Sequence, residues 1–169
     1  MRHDRATTAP DYRQDFFAWT RHQAKLLRIL RERGADLPME IDIAQIAEEI
    51  EDLGKAELNS AKSLIRQILA HLIKAASDPG AEAAGHWRTE AAAFHLDLLD
   101  RYAPSMRQLI DIQKLWEGAL KLADLALREH GGRAAPGLPA ESPYALADIV
   151  AEEFSFDEAL ERLRAAQAV

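Results

Sequence analysis

Apolar side chains recur at steps of three and four between Ile41 and Ala76, at Ile43, Ile46, Ile50, Leu53, Ala61, Leu64, Ile68, Leu72 and Ala75. That is the spacing one face of an α-helix requires. The pattern predicts one long helix over 41–76, roughly 50 Å at 1.5 Å per residue, longer than a small domain is wide. Every other element must then pack along it. Gly54 falls near its middle, where glycine costs about 1 kcal/mol against alanine. It marks either a close approach by another helix or a break into two.

The flanking pattern is also helical. After Pro10, Asp11 with Gln14 has capping-box spacing, and Tyr12, Phe16, Trp19, Gln23, Leu26 and Leu30 share a face up to a stop at Gly34. The other faces of this helix carry Arg13, Arg21, Lys25, Arg28, Arg31 and Arg33, whereas the first half of the long helix carries Asp42, Glu48, Glu49, Glu51, Asp52 and Glu57. A basic helix joined to an acidic one by a short loop with Pro38 predicts an antiparallel pair. Each exposed ion pair is worth only about 0–1 kcal/mol, so the rims set pairing preference and do not hold the fold.

Ser77, Asp78, Pro79 and Gly80 end the long helix. A third helix is predicted from Glu82 or His86 to Tyr102, with Trp87, Ala91, Phe94 and Leu98 in its stripe. Pro104 and Ser105 separate it from a fourth, striped by Leu109, Ile112, Trp116, Ala119, Leu120, Ala123 and Leu127 and closed by Gly131 and Gly132. Four prolines and glycines in the following stretch predict a surface loop over 131–143. Ser142 and Pro143 then start a short helix, and Ser155 with Glu158 caps a last one. The expected fold is all-α: an up-and-down four-helix bundle built on one long helix, continuous or kinked at Gly54. It forms a single domain over 11–169, with a flexible tail at 1–10 and a C-terminal helical brace at 144–169.

Composition narrows the function classes. The 169 residues are 48% hydrophobic and 29% charged, with a net charge of -7. An acidic chain lacks the basic stripe that phosphate binding needs, so nucleic acid is not an expected partner. There is no Cys, which excludes disulfides, thiolate metal sites and cysteine nucleophiles. With no secretory apolar core near Met1 and no run approaching the ~18 residues of a membrane span, the expected location is cytoplasmic and no membrane partner is expected. No Gly-x-Ser-x-Gly elbow, Walker A loop or Gly-x-Gly-x-x-Gly turn is present.

One polar seam stands out. Projected at 100° per residue from Ile46, His71 and Glu57 fall within about 20° of the apolar stripe, and Glu49, Ser60 and Gln67 within about 60°. Inward acids must be paired, hydrogen-bonded, protonated or metal-bound. Asp15 and Gln23 of the first helix and His95 of the third are expected within reach of the seam. A transition metal held by His71, His95, Glu49 and Glu57 is one outcome. The spacing does not favour it: no Glu precedes a His by three residues and no His-Glu-x-x-His occurs, so no cofactor is predicted. A core histidine bonded to a neighbouring carboxylate or carbonyl is the simpler role for His71. Lys74 complements the dipole at the end of the long helix, and Trp19, Trp87 and Trp116 are assigned to the core.

The motifs Asp15-Phe16-Phe17-Ala18-Trp19, Ile46-Ala47-Glu48-Glu49-Ile50-Glu51-Asp52-Leu53-Gly54, His71-Leu72-Ile73-Lys74, Trp87-Arg88 and Ser142-Pro143-Tyr144 resemble a bacterial family, domain of unknown function 29. The family is common in cyanobacteria and also found in proteobacteria. The resemblance spans most of residues 11–154 and departs from the family pattern at Gln45 and Ala75. It implies an all-helical domain with no established activity, and it groups Asp15, Glu49, His71 and Lys74 as one recurring set.

The expected function is a helical interaction module that binds itself or a protein partner through an apolar helix face left over after bundle packing. The alternative is a metal-dependent enzyme or metal sensor using Glu49, Glu57, His71 and His95.

Overall fold

The computed structural model describes residues 9–34, 38 and 40–167. Among them every regular element is helical: α1 (Phe16–Glu32), α2 (Ile43–Ser77), α3 (Ala84–Arg101), a 3₁₀ segment (Pro104–Leu109), α4 (Ile112–Glu129), α5 (Leu146–Ile149) and α6 (Phe156–Gln167). The tail expected over 1–10 falls outside the described residues except for Ala9 and Pro10. The chain groups into two compact units, one of residues up to Asn59 with Ala103–Arg107, the other of Ser60–Tyr102 with the residues from Gln108 onward.

Helix α2 runs uninterrupted for 35 residues, so Gly54 is not a break. Asp42 caps it, its Oδ1 accepting from the Gln45 amide at 3.0 Å. The glycine serves close approach: a Cβ on residue 54 would lie 2.1 Å from Thr20 Oγ1 and 3.2 Å from Thr20 Cβ. Thr20 is fully buried, and its hydroxyl is turned onto its own helix, donating to the Phe17 carbonyl at 2.9 Å.

In the first unit α1 begins one turn later than expected. The Asp11 carboxylate is spent on a local turn, accepting from the amides of Arg13 and Gln14, which offers the backbone an alternative to helix. Asp15 is the actual cap: its Oδ1 accepts from the Ala18 amide at 2.8 Å and from Ser105 Oγ at 2.7 Å. Helix α1 runs antiparallel to the start of α2, since Thr20 meets Gly54 while Arg28, two turns on, pairs with Glu51. The hydrogen bond from Arg28 holds the Glu51 carboxyl below the usual range. Phe17, Thr20 and Ala24 bury one side of α1, and Ala47, Gly54 and Leu58 bury one side of α2. Ile46 and Leu53, assigned to the inward stripe from sequence, are instead 42% and 56% exposed. The close α1 contact is made by small residues about 90° around the helix from them.

The second unit holds most of the core, with Ile65, Ile68, Leu69, Leu72, Ile73, Leu98, Trp116, Ile149 and Leu163 all fully buried. Trp116 also fixes the Pro/Gly loop: its Nε1 donates to the Pro139 carbonyl at 3.0 Å. One turn earlier Gln113 donates to the Ala140 carbonyl and accepts from the Ser142 amide. Trp19 and Trp87 are only half-buried, so the core assignment holds in full for Trp116 alone. The short helix after Ser142-Pro143 shrinks to four residues, with Asp148 accepting from the Ala145 amide at its start. Tyr144, whose phenol burial pushes up, donates from its hydroxyl to the Ala159 carbonyl at 2.7 Å and so ties this stretch to α6. Ser155 caps α6 as expected, accepting from the Glu158 amide.

Candidate functional site

A polar cluster of the second unit forms where the last turns of α2 cross α3. On α2, His71 and Lys74 are three residues apart and therefore neighbours on one face. On α3, Trp87, Glu90 and Phe94 follow the same three-and-four spacing. The helices are antiparallel here, since Lys74 lies over the Trp87 ring while His71 meets Glu90 and Phe94.

His71 is 4% exposed and has both ring nitrogens engaged. Nδ1 stands 2.8 Å from the Gln67 carbonyl, which only accepts, so Nδ1 carries a proton. Nε2 faces two groups of opposite kind, Glu90 Oε2 at 2.8 Å and Lys74 Nζ at 3.1 Å. In the neutral ring Nε2 accepts from the lysine; in the imidazolium it donates to the carboxylate. Nε2 is thus shared between a proton donor and a proton acceptor, its lysine and carboxylate neighbours.

The surroundings bias the sharing. The His71 hydrogen bond lowers the Glu90 pKa, with help from the nearby positive charge, and its other oxygen lies 3.3 Å from His86 Nε2. Desolvation lowers the Lys74 pKa, opposed by attraction to Glu90. The ammonium rests 5.2 Å from the Trp87 ring centre, a cation–π geometry that stabilises its charged form. On its open side Lys74 faces a groove of about 540 Å³ between the end of α2, the start of α3 and the end of α4, where Trp87, Ala126 and Leu127 supply apolar wall and Asp78, Glu82 and His130 the rim.

A pH prediction follows for Glu90. The folded chain keeps this carboxyl ionised at a pH where the unfolded chain, near its ordinary value of 4.5, is taking up protons. Its contribution is therefore complete above the ordinary glutamate range and disappears as pH falls through the lowered folded value. Urea midpoints measured between pH 7 and pH 3 are expected to fall less steeply for Glu90→Gln than for the parent. Equal slopes would show that the His71–Glu90 pair carries no linkage.

Of the seam expected from sequence, His71 and Lys74 come together. Asp15 is instead an α1 cap bonded to Ser105. Glu49 is exposed and accepts from the Gln45 side chain at 2.7 Å. Glu57 is half-buried in the first unit. His95 is a satisfied core histidine, donating from Nε2 to the Ala151 carbonyl at 3.0 Å and stacked on Phe154. Among the described residues no group of three or more His, Asp or Glu side chains is placed to hold a metal ion. Glu90 is the member of this cluster that the sequence reading left out of the seam. Its signal was an acid set into the apolar stripe, three residues after Trp87 and four before Phe94.

The fold and this cluster define an all-helical protein with a histidine–lysine–glutamate cluster where α2, its longest described helix, meets α3. The chain belongs to the family described as domain of unknown function DUF29, whose model matches residues 12–155. Among solved structures it is similar to an alpha-helical protein of unknown function from Rhodospirillum rubrum ATCC 11170, with 39% identity, a TM-score of 0.88 and coverage of 91% of this chain and 98% of that one. No curated protein matches it significantly. No helix among the described residues is long and apolar enough to cross a membrane.

Proposed function

We propose that the chain is a helical interaction module that self-associates through the exposed apolar side of the α1–α2 pair. One observation carries this reading: Tyr12, Leu26, Leu30, Ile46 and Leu53 are all 39% or more exposed and fall on these two helices or the turn before them. On α1, Trp19, Gln23, Leu26 and Leu30 lie within about 60° of one another, and on α2 so do Ile46, Ile50 and Leu53. Both stripes are offset in the same rotational sense from the α1–α2 contact line, which in an antiparallel pair puts them on one side. A stripe of this kind on a soluble domain marks an interaction surface.

Charge favours a second copy as the occupant. Helix α1 is basic and the first half of α2 acidic, so a two-fold pairing of α1 on the partner's α2 sets basic side chains against acidic ones. Two helices side by side, ~25 Å long and ~20 Å wide, offer about 500 Å² per copy, at the lower end of specific interfaces, which fits a dimer of micromolar affinity. Sedimentation equilibrium is expected to give a dimer at tens of micromolar. Leu26→Asp combined with Leu53→Asp is expected to give a monomer with an unchanged helical circular-dichroism spectrum. A parent chain that stays monomeric at about 100 μM overturns the reading.

A further inference from the structure

We propose that Lys74 is a nucleophilic amine that captures a small aldehyde or ketone in the groove beside it as an imine. This is independent of self-association, since every residue it uses lies in the second unit.

Lysine acts as a nucleophile when it is partly withdrawn from water, has a base within reach and faces a space that admits a carbonyl compound. Lys74 has all three. It is half-buried, His71 Nε2 stands 3.1 Å from its Nζ, and its open side gives on a groove of about 540 Å³, within the range of small-molecule sites. The base is itself oriented: the Gln67 carbonyl fixes the proton on Nδ1, which leaves Nε2 as the acceptor, and Glu90 at 2.8 Å stabilises the imidazolium that results. Desolvation already favours the neutral amine. The Trp87 ring and Leu127 give the groove an apolar wall for the substituent on the carbonyl carbon.

The chemistry balances without a redox partner. The Lys74 ammonium gives one proton to His71 Nε2. Its freed lone pair forms a bond to the carbonyl carbon, and the C=O π pair moves to oxygen. The oxygen takes the proton back from His71 and a second one from the nitrogen, and it leaves as water as the nitrogen lone pair closes the C=N bond. The product is a protonated imine, which keeps the positive charge that Glu90 and Trp87 stabilised in the ammonium.

The test uses the full chain, propanal as probe, and cyanoborohydride to fix the imine, with peptide mass spectrometry locating the propyl group. Lys74 is expected to be labelled at least about tenfold faster than half-buried Lys62 and exposed Lys55, Lys114 and Lys121. His71→Gln is expected to slow Lys74 by about tenfold and to move the rise of its labelling rate to higher pH, with the helical spectrum unchanged. Glu90→Gln, which keeps the side-chain shape, is expected to slow the plateau rate by leaving the imidazolium without its carboxylate, and to move the rise of labelling to lower pH, because it removes the attraction that opposes desolvation at Lys74. The groups whose titration enters that profile are Lys74 and His71 on α2, His86 and Glu90 on α3, Asp78 and Glu82 at the rim and His130 at the end of α4. Labelling of Lys74 no faster than Lys62 overturns the proposal. A pH profile that neither variant moves removes His71 as the base and overturns it equally.

Discussion

Trp116→Ala is expected to lower stability by about 3–5 kcal/mol, the usual range for emptying a fully buried indole site. The side chain has no exposed surface, sits 6.1 Å from the Tyr144 ring centre, and donates its Nε1 hydrogen to the Pro139 carbonyl. Alanine removes the packing and leaves a cavity, and it also releases the loop after α4. Trp116→Phe loses the hydrogen bond, worth about 1 kcal/mol, and a smaller part of the buried ring volume, so it is expected to cost less than alanine. For a chain of this length each kcal/mol moves the melting temperature by about 2–4 °C, so thermal unfolding followed by circular dichroism resolves the two variants. An alanine variant within about 1 kcal/mol of the parent would mean that the site collapses to fill the space.

Gly54→Ala is the second large effect, and its sign opposes helix propensity. Alanine in a helix interior is favoured over glycine by about 1 kcal/mol. Here the new methyl would sit 2.1 Å from Thr20 Oγ1 and 3.2 Å from Thr20 Cβ. Turning Thr20 to its other helical rotamer gives up the bond to the Phe17 carbonyl and still leaves its Cβ 3.2 Å from the methyl. Overpacking of this kind costs about 1–3 kcal/mol, so a net loss of stability is expected. Thr20→Ala removes the offending oxygen and sacrifices only a hydrogen bond to a carbonyl of its own helix. The double variant Thr20→Ala with Gly54→Ala is therefore expected to be more stable than Gly54→Ala alone, a non-additivity that a double-mutant cycle in urea measures. Additive effects would show that the helices separate to admit the methyl.

The same two residues show how far the sequence reaches. The three-and-four spacing through 41–76 was enough to place one long helix, and the helix is found at Ile43–Ser77. Whether Gly54 broke it depended on Thr20, thirty-four residues away, and local pattern carries no information about such a partner. At the start of α1, Asp11 and Asp15 both had cap chemistry. Asp11 turned its carboxylate on Arg13 and Gln14, so the helix began at Phe16. The stripe from Ile46 to Leu72 was continuous in projection, yet Ile46 and Leu53 are exposed while Ile68 and Leu72 are fully buried. Azimuth fixes which residues share a face, but the partner packed against each turn decides whether that face is covered.

For the candidate site the division is similar. Projection singled out His71 as inward, because azimuth follows from helical period alone, whereas Lys74 was grouped with it only by the family resemblance. Projection also joined His71 to Glu49 and Glu57, which an azimuth cannot distinguish from near neighbours. Positions fourteen and twenty-two residues apart on one helix differ by ~21 and ~33 Å in rise.

By itself the sequence determined that this is an all-helical protein, where most of its helices run and which family it belongs to, because periodicity, caps and breakers act over a few residues. The tertiary structure alone decided that Glu90 completes the pair of His71 and Lys74, that Gly54 admits Thr20, and that the α1–α2 pair leaves an apolar side uncovered. Each of these depends on contact between segments distant in the chain, and helical period does not encode such contacts.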